Sequence, residues 1–239
     1  MQQVTTTSSG RLLAAIMGGI IGAALMAIVL LFAAPKLIGT KIVRAGIMAD
    51  PQVLVDGGDA LRQQQYQPVL AAHRAELETP FGTSWKGASK PDVTVVEFYD
   101  YACPYCKASN PAVDQLLKSD PKVRIVYREL PILGPSSVEA ARLSLAASQA
   151  GRFAQFHDAL WAAGKPTNEA LAQASGTAGI GGKSAETPAS EAELKKNFEL
   201  AGALGATGTP LFVIGDKVIN SAVTYDQLKS AVDEARAKG

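Results

Sequence analysis

The segment of residues 93–106, VTVVEFYDYACPYC, constrains the fold of this chain more than any other. Its first seven residues are almost all β-branched or aromatic, and such a continuous apolar run predicts a strand that is buried on both faces. Apolar residues then recur at helical spacing over residues 104–118. Cys103 and Cys106 therefore lie where a buried strand passes into a helix, and their spacing places both on one side of the first helical turn.

The other predicted elements indicate an α/β domain with a helical insertion. KVRIVYREL at residues 122–130 predicts a second strand, and LFVIGDKVI at 211–219 predicts two short strands joined by a glycine-first turn. Residues 137–205 between them are predominantly alanine-rich helix, and residues 225–237 predict a closing amphipathic helix. The predicted order is thus strand, helix, strand, a helical block, then two strands and a helix.

Residues 35–90 are expected to form a largely helical leader to this domain. The stretch LRQQQYQPVLAAHRAEL at 61–77 has helical composition, and Pro68 within it predicts a break or a kink. Turn-forming clusters at residues 80–83 and 87–91 close the leader.

The N-terminal region carries a long uncharged run. No charged residue occurs between Arg11 and Lys36, and a helix of that length spans roughly 35 Å against a bilayer core of about 30 Å. We therefore expect a transmembrane anchor at residues 12–34 behind a short tail at 1–11. A cleaved signal peptide is the alternative, but its apolar region is normally only about 7–15 residues long, and Pro35 directly follows the small residues at which it would be cut.

Composition excludes several functional classes. The chain has 23 basic and 22 acidic residues, for a net charge of +1, so it offers no electrostatic footprint for nucleic acid. Two cysteines exclude a disulfide-stapled scaffold and a four-cysteine zinc site. The two histidines, His73 and His157, lie too far from the cysteines for zinc-finger spacing. No metal site and no cofactor are expected.

Two cysteines at the start of a helix indicate redox chemistry. The first helical turn has unpaired backbone N–H groups and the positive end of the helix dipole, which stabilise a thiolate at Cys103. Because the thiolate is the reactive form in thiol–disulfide exchange, Cys103 is expected to attack and Cys106, one turn further in, to resolve. A purely structural pair of cysteines and half of a zinc site are the alternatives.

The cysteine motif also carries a resemblance to a known family. VEFYDYACPYCK, together with GTP at 208–210 before a strand pair, resembles the thioredoxin-fold Dsb proteins of bacterial envelopes, in particular the DsbA-type branch with an inserted helical domain. YRELPILGPSSVEAARLSLAA and QFHDALW are similar to members related to Com1 and to the suppressor-of-copper-sensitivity proteins. The resemblance implies a thioredoxin-like fold over residues 91–239, with the helical insertion at about 136–206.

The resemblance also implies roles for residues outside the cysteine pair. Glu97 matches a buried acid below the disulfide that accepts or relays the proton of Cys106. Pro210 matches a cis-proline that faces the active site; since an X–Pro bond is cis in only about 5–6% of cases, this expectation depends on the family alone. The residues expected to contact substrate are Thr209, Pro210, Pro104 and Tyr105.

Three further polar residues receive structural interpretations. Asp100 and Lys107 are expected to be solvated residues near the mouth of the site. His157 lies among Phe156, Leu160 and Trp161, which predicts a packed helix residue and not a ligand.

By resemblance, the chain is expected to be a membrane-anchored envelope thiol:disulfide oxidoreductase that acts on cysteine-containing proteins. A disulfide-donating oxidase is the leading version. A disulfide isomerase or reductase and a non-catalytic peptide-binding module are the alternatives. The expected partners are a membrane redox protein that reoxidises or reduces the enzyme, the lipid bilayer, and a second copy of the chain through residues 47–80.

Two arguments bear on where the domain lies. The basic residues Lys36, Lys41 and Arg44 outnumber Arg11 on the other side of the uncharged run, which leans toward a cytoplasmic domain. An oxidase disulfide, however, needs an oxidising compartment. We therefore expect a single-pass protein of the bacterial inner membrane with its catalytic domain in the periplasm, or a periplasmic protein after signal cleavage.

Overall fold

The computed structural model describes residues 17–28, 39–181 and 186–238. The chain divides into two compact units, Met1–Leu61 and Arg62–Gly239. The second unit contains the cysteine pair and the whole of the β-sheet.

In the first unit, residues 17–28 are helical, and helix α1 spans Gly39–Ala49 with side chains that are all exposed or partly exposed. The anchor predicted at residues 12–34 lies only partly within the described residues, and the tail predicted at 1–11 lies outside them. Within the ranges that the structure describes, no helix combines the length and the apolar character that crossing a bilayer requires.

The remaining elements follow the order predicted from the sequence, with one additional strand. They are α2 (Gln52–Glu78), β1 (Trp85–Gly87), β2 (Val93–Tyr99), α3 (Pro104–Ser119), β3 (Val123–Glu129), α4 (Pro135–Gln149), α5 (Phe153–Ala163), α6 (Asn168–Ala178), α7 (Pro188–Ala203), β4 (Leu211–Ile214), β5 (Lys217–Ile219) and α8 (Tyr225–Lys238). The strands form one mixed sheet in the order β1-β3-β2-β4-β5. Strands β2 and β3 are parallel, and the other neighbours are antiparallel.

Both faces of the central strands are covered, which accounts for the continuous apolar pattern of β2. On one face, Val95 packs in a cluster with residues of α3, α5 and α8. On the other face, Val96 and Phe98 pack against Leu77 of α2 and Leu200 of α7. Alternate side chains of one strand therefore enter two separate apolar clusters, and polar residues have no solvated face to occupy.

Helix α2 continues through Pro68, so of the break or kink predicted there, the break is wrong. Proline removes one N–H and crowds the preceding turn, but tertiary contacts hold the following part of the helix in place. Leu70 and Leu77 are buried in the second cluster, and Arg74 donates hydrogen bonds to the Gly215 carbonyl and to Asp216. These contacts offset the local cost of the proline.

Arg128 of β3 joins the end of α2 to the helical insertion. Its guanidinium is 1% exposed and donates to the carbonyl oxygens of Leu77 at 3.1 Å and Thr79 at 2.9 Å. It also donates to Glu193 Oε1 at 3.0 Å and to Asn197 Oδ1 at 2.8 Å on α7. One buried cation thus satisfies carbonyl groups at the C-terminus of α2 and fixes α7 against the sheet.

The turn between β4 and β5 requires the glycine that the sequence places there. Gly215 has φ +55°, and a Cβ at this position would lie 2.8 Å from Cβ of Ala235 on α8. A larger residue would therefore meet both backbone strain and a clash. The predicted glycine-first hairpin is confirmed.

Candidate active site

Cys103 is the N-cap residue of α3, with φ −78° and ψ 119°, and Pro104 occupies the first helical position. The backbone N–H of Cys103 donates to the Asp100 carbonyl at 3.0 Å, and its carbonyl accepts from Lys107 N–H at 3.2 Å. The side chain therefore lies at the N-terminal end of the helix, where backbone N–H groups and the helix dipole favour a negative charge. Both cysteines are free thiols in this structure.

The loop before β4 forms the opposite wall of the site. The peptide bond between Thr209 and Pro210 is cis, the conformation that the resemblance implies. The thiol of Cys103 donates to the carbonyl oxygen of Thr209 at 3.2 Å. Residues 106 positions apart in sequence thus meet at the end of the sheet where β2 finishes and β4 begins.

Cys106 lies one helical turn further into the protein, and it is fully buried, whereas Cys103 retains 4% of its surface. Burial raises the pKa of the Cys106 thiol well above its usual range, and the negative charge of Glu97 raises it further. The side chain of Thr209 acts in the opposite direction. Without a proton acceptor, Cys106 is therefore a poor nucleophile, and its thiolate readily takes up a proton.

Glu97 is a buried acid in the middle of β2, between Tyr127 of β3 and Phe212 of β4. It is 2% exposed, and its Oε2 atom has no hydrogen-bond partner among the described residues. Burial raises the pKa of Glu97 to about 8; Lys86 lowers it and Asp114 raises it. The carboxyl group is therefore mostly protonated at neutral pH and titrates just above it.

The acid and the inner cysteine are electrostatically coupled. The charge of Glu97 is the second cause, after burial, of the raised Cys106 pKa. Like charges in a buried site disfavour simultaneous ionisation. When Cys106 is released as a thiolate, the proton of Glu97 can therefore move to the sulfur, and it can return to the carboxylate when Cys106 is oxidised again.

Asp100 is not the solvated residue that the sequence predicted. It is 3% exposed, and its carboxylate accepts hydrogen bonds from the backbone N–H groups of Ala102 at 2.8 Å, Ile132 at 2.8 Å and Leu133 at 3.0 Å. The prediction failed because two of the three donors belong to the segment after β3, about 30 residues away in sequence. Lys107 is exposed, as expected.

Several exposed side chains on the cysteine motif and on the segment after β3 are apolar. Tyr105 and Pro104 in the motif are exposed, and Tyr105 keeps 65% of its surface. Ile132 and Leu133 are exposed by 43% and 50%. Sequence reasoning missed these two residues; the available signal was a pair of aliphatic residues in a Pro–Gly-bounded turn directly after a buried strand.

His157 packs inside the domain, as predicted. Its Nδ1 atom lies 3.1 Å from the Tyr101 hydroxyl, and burial lowers the pKa of the ring well below its usual value. The Tyr99 hydroxyl donates to Glu129 Oε1 at 2.8 Å, and the Ser144 hydroxyl donates to the same oxygen at 2.6 Å. This buried polar network was not predicted.

Within the described ranges, no group of three or more metal-ligating side chains is close enough to hold a metal ion.

Comparison with known proteins gives a consistent result. The family model for the DSBA-like thioredoxin domain matches residues 94–233. A thioredoxin-like oxidoreductase from Silicibacter pomeroyi DSS-3 is 40% identical; the match covers 69% of this chain and 98% of that chain, with a TM-score of 0.65.

Two further solved structures are similar over a comparable share of the chain. A periplasmic thioredoxin-like protein from Salmonella enterica serovar Typhimurium is 33% identical, with coverage of 69% of this chain and 95% of that chain and a TM-score of 0.61. The catalytic domain of Proteus mirabilis ScsC is 32% identical, with coverage of 71% and 98% and a TM-score of 0.64. The predicted thioredoxin-like α/β architecture is confirmed.

A shorter similarity extends to two curated membrane proteins. The Na⁺/H⁺ antiporters NhaA 3 of Salinispora tropica and NhaA 1 of Salinispora arenicola are 42% and 40% identical to this chain over 79 residues. That match covers 32% of this chain but only 12% of each antiporter.

Proposed function

This chain belongs to the DSBA-like thioredoxin domain family and is a thiol–disulfide oxidoreductase, and from that premise we propose that it donates its own disulfide to cysteine pairs of other proteins. The arrangement of the two thiols carries the proposal. The slightly exposed Cys103 lies at a helix N-terminus, where the reduced thiolate is stabilised. Stabilising the reduced form makes the disulfide a stronger oxidant.

The exchange takes place in two substitutions at sulfur. A substrate thiolate attacks Sγ of Cys103 in the enzyme disulfide; a mixed disulfide forms, and Cys106 leaves as a thiolate. The second substrate thiolate then attacks the substrate sulfur of the mixed disulfide, and Cys103 leaves. The substrate dithiol becomes a disulfide and the enzyme disulfide becomes a dithiol, so two electrons and two protons pass to the enzyme.

Glu97 is the proposed proton donor to Cys106 in this direction and the acceptor in reverse. Its pKa of about 8 keeps it protonated at neutral pH, and the burial of Cys106 makes a thiolate there costly. Proton transfer from the acid to the departing sulfur moves the single negative charge from Cys106 to Glu97, the group with the lower pKa, and Glu97 then regains a proton from solvent.

Thr209 and Pro210 are proposed to hold the substrate backbone beside Cys103, together with Pro104 and Tyr105 on the helix. In the free enzyme, the Thr209 carbonyl accepts the Cys103 thiol hydrogen. When a substrate sulfur occupies that space, the same loop is positioned to pair with the extended substrate chain and align its sulfur for in-line attack.

The reduction potential tests the direction of electron transfer. Strongly oxidising thiol–disulfide oxidoreductases have reduction potentials of about −120 mV, whereas thioredoxin has one of about −270 mV. The difference corresponds to about 7 kcal/mol for two electrons. Equilibration with glutathione is expected to give a value toward the oxidising end, and the oxidised protein is expected to oxidise reduced ribonuclease. A potential near that of thioredoxin, with rapid reduction of insulin, would contradict the oxidase proposal.

One observation favours an isomerase as the second candidate. The described leader carries exposed large apolar side chains on α1 and on the first part of α2, namely Ile42, Val43, Met48, Val53, Leu54, Val55 and Leu61. Such a surface suits association with further copies of the chain, and two facing active sites could hold one misfolded substrate. Sedimentation analysis of oligomeric state, combined with recovery of scrambled ribonuclease, distinguishes this candidate. A protein with neither oxidase nor reductase turnover would instead be a peptide-binding module.

We also propose that residues 12–34 anchor the protein in the inner membrane, with the catalytic domain in the periplasm. The uncharged run and the need of an oxidase for an oxidising compartment support this placement. A membrane redox partner would then take the two electrons and restore the disulfide. A C-terminal alkaline phosphatase fusion is expected to be active, and an inactive fusion would contradict the topology.

A further inference from the structure

A cavity lies beside the helix that carries the cysteines. It has a volume of about 380 Å³ and is lined by residues of β1, α3, β3 and α5, which is within the size range of sites for small molecules. The proposed reaction uses none of its lining residues as a reacting group. The floor and the mouth of the cavity carry different kinds of side chain, and both indicate a ligand.

Three aromatic side chains, Tyr127, His157 and Trp161, form the floor of the cavity. The ring centroids of Tyr127 and His157 lie 4.5 Å apart, and those of His157 and Trp161 lie 6.1 Å apart. Among the described residues, none bonds to the Tyr127 hydroxyl or to His157 Nε2, and Trp161 Nε1 is buried without a partner. A buried polar atom without a partner costs free energy, and a hydrogen bond from a ligand removes that cost.

The hydrogen bonds behind His157 fix the orientation of its ring. Nδ1 lies 3.1 Å from the Tyr101 hydroxyl, which in turn lies 3.1 Å from the Ser144 hydroxyl. Ser144 donates to Glu129 Oε1 at 2.6 Å. Because this buried chain engages Nδ1, Nε2 is the ring nitrogen that remains for a ligand. The floor is therefore held in place before a ligand binds, which reduces the entropy that binding costs.

Two opposite charges of α3 lie at the mouth of the cavity. Lys107 and Asp114 are exposed and line it, and neither has a salt-bridge partner within the ranges that the structure describes. The other two charged lining residues, Lys86 and Asp158, pair with each other. Seven residues of α-helix span about 10.5 Å, so the unpaired positive and negative charges lie about two turns apart.

We propose that this cavity binds a short zwitterionic peptide, with the carboxylate near Lys107, the ammonium group near Asp114 and the middle of the peptide on the aromatic floor. An extended tripeptide spans roughly 10 Å, which matches the separation of the two charges along the helix. Its amide groups supply both donors and acceptors for the unpartnered atoms of the floor. A simple anion would satisfy Lys107 alone, and a simple cation would satisfy Asp114 alone.

The proposed peptide site is separate from the cleft in which disulfide exchange takes place. Neither Cys103 nor Thr209 lines the cavity. Binding there needs no reaction at sulfur, so the inference goes beyond the proposed function and does not depend on the direction of electron transfer.

The indole N–H signals of the two tryptophans test where a peptide binds. The full chain contains only Trp85 and Trp161, and they pack against different apolar clusters. Gly-Leu-Gly, which has no cysteine, is expected to shift the nitrogen-15 NMR signal of the Trp161 indole and to leave that of Trp85 unchanged. Trp161→Phe assigns the two signals. A shift confined to Trp85, or no shift at up to about 10 mM peptide, above the weak affinity expected for so small a ligand, would overturn the site.

Calorimetry with capped peptides tests the two charges. Acetylation of Gly-Leu-Gly removes its ammonium charge, and amidation removes its carboxylate charge. Each cap is expected to weaken binding to the original chain about two- to fivefold, the range for exposed ion pairs. In Lys107→Met, amidation is expected to cost nothing further while acetylation still does, and in Asp114→Asn the reverse is expected. Such cycles separate one interaction from the general effect of a substitution.

Lys118→Met is the matched control, because Lys118 is an exposed lysine of α3 that does not line the cavity. It is expected to keep both cap effects. Cap effects that persist unchanged in Lys107→Met and in Asp114→Asn would overturn the assigned contacts. Equal binding of the free and the acetylated peptide would overturn the zwitterion in favour of an anion site.

Discussion

The thiol of Cys103 contacts the carbonyl oxygen of Thr209 at 3.2 Å, and this contact determines which sulfur can meet a substrate. A chain that enters the space beside Thr209 reaches Cys103 first. Cys106, fully buried one turn below, is reached only through the disulfide bond that it forms with Cys103.

Replacement of each cysteine by alanine should give opposite results. In Cys106→Ala the Cys103 thiolate can still attack a substrate disulfide, with one substrate sulfur leaving as a thiolate. Mixed disulfides between Cys103 and substrates are therefore expected to accumulate, because the second enzyme sulfur can no longer displace the substrate. Cys103→Ala is expected to accumulate almost none, since the remaining sulfur is enclosed. Non-reducing electrophoresis after acid quenching measures both. Abundant mixed disulfides in Cys103→Ala would reverse the assigned roles.

Glu97→Gln should change how stability depends on pH. The pKa of Glu97 rises from 4.5 to about 8 on folding, so the folded state holds this proton more tightly than the unfolded chain does. The corresponding stability is present below about pH 4.5 and is lost as the pH rises toward 8; at about 1.4 kcal/mol per pKa unit, the upper limit is roughly 5 kcal/mol. Glutamine, which never ionises, is expected to be more stable than glutamate at pH 9 and similar at pH 4.5.

Urea unfolding at the two pH values measures this difference. Both proteins should carry Cys103→Ala and Cys106→Ala, so that thiol titration does not contribute. Glu129, whose pKa burial raises to about 7, changes stability in the same direction, but it is common to both proteins and cancels. Identical pH profiles would mean that Glu97 is not perturbed by burial.

Lys86 and Asp114 should shift the titration of Glu97 in opposite directions. The lysine charge lowers the pKa of Glu97 and the aspartate charge raises it, so Lys86→Met is expected to raise that pKa and Asp114→Asn to lower it. Carbon-13 NMR titration of the Glu97 carboxyl gives both values. Lys229→Met on α8 is the control and should leave the titration unchanged; shifts of the same sign in the two test variants would refute the electrostatic explanation.

Removal of the Arg128 guanidinium should destabilise the domain strongly. Arg128→Met removes the buried cation beside Glu193, which keeps only its ion pair with the more exposed Lys196, and leaves carbonyl groups at the end of α2 unpaired. Breaking a buried pair in this way costs about 3–5 kcal/mol. Arg142→Met is the matched control, because Arg142 pairs with the more exposed Glu191 and such pairs contribute only about 0–1 kcal/mol. Chemical denaturation measures the free energy of unfolding of both variants. Equal losses of stability would show that the buried contacts of Arg128 contribute no more than the exposed pair of Arg142.

The sequence alone was sufficient to predict the central strands and the helix that carries the cysteines. Strand β2 spans Val93–Tyr99, which are the predicted residues. The prediction succeeded because both faces of the strand are buried, so nearly all of its residues are apolar. Strand β1, Trp85–Gly87, could not be found in this way. It has three residues, and it exists because it pairs with β3, which no local pattern records.

The parts of the site that depend on residues distant in sequence also could not be predicted from local sequence patterns. Asp100 is a charged residue directly after a strand, where side chains are usually solvated. Its burial is possible because the backbone N–H groups of Ile132 and Leu133, after β3, donate hydrogen bonds to it. The cis bond before Pro210 was expected only through the family resemblance. Cys103 and Cys106, by contrast, were recognisable because their spacing and the adjoining strand lie within 14 residues of chain.

The 106 residues that separate Cys103 from Thr209 also have a kinetic consequence. Contacts between distant residues form late in folding, because closing a long loop costs chain entropy before the contact repays it. The cysteines belong to a strand–helix unit that is complete by Ser119, whereas the facing loop follows all four inserted helices. When the chain is synthesised from its N-terminus, both thiols are therefore present before the loop at Thr209 can restrict what reacts with them. The length of the insertion sets how long the thiols remain accessible in this way.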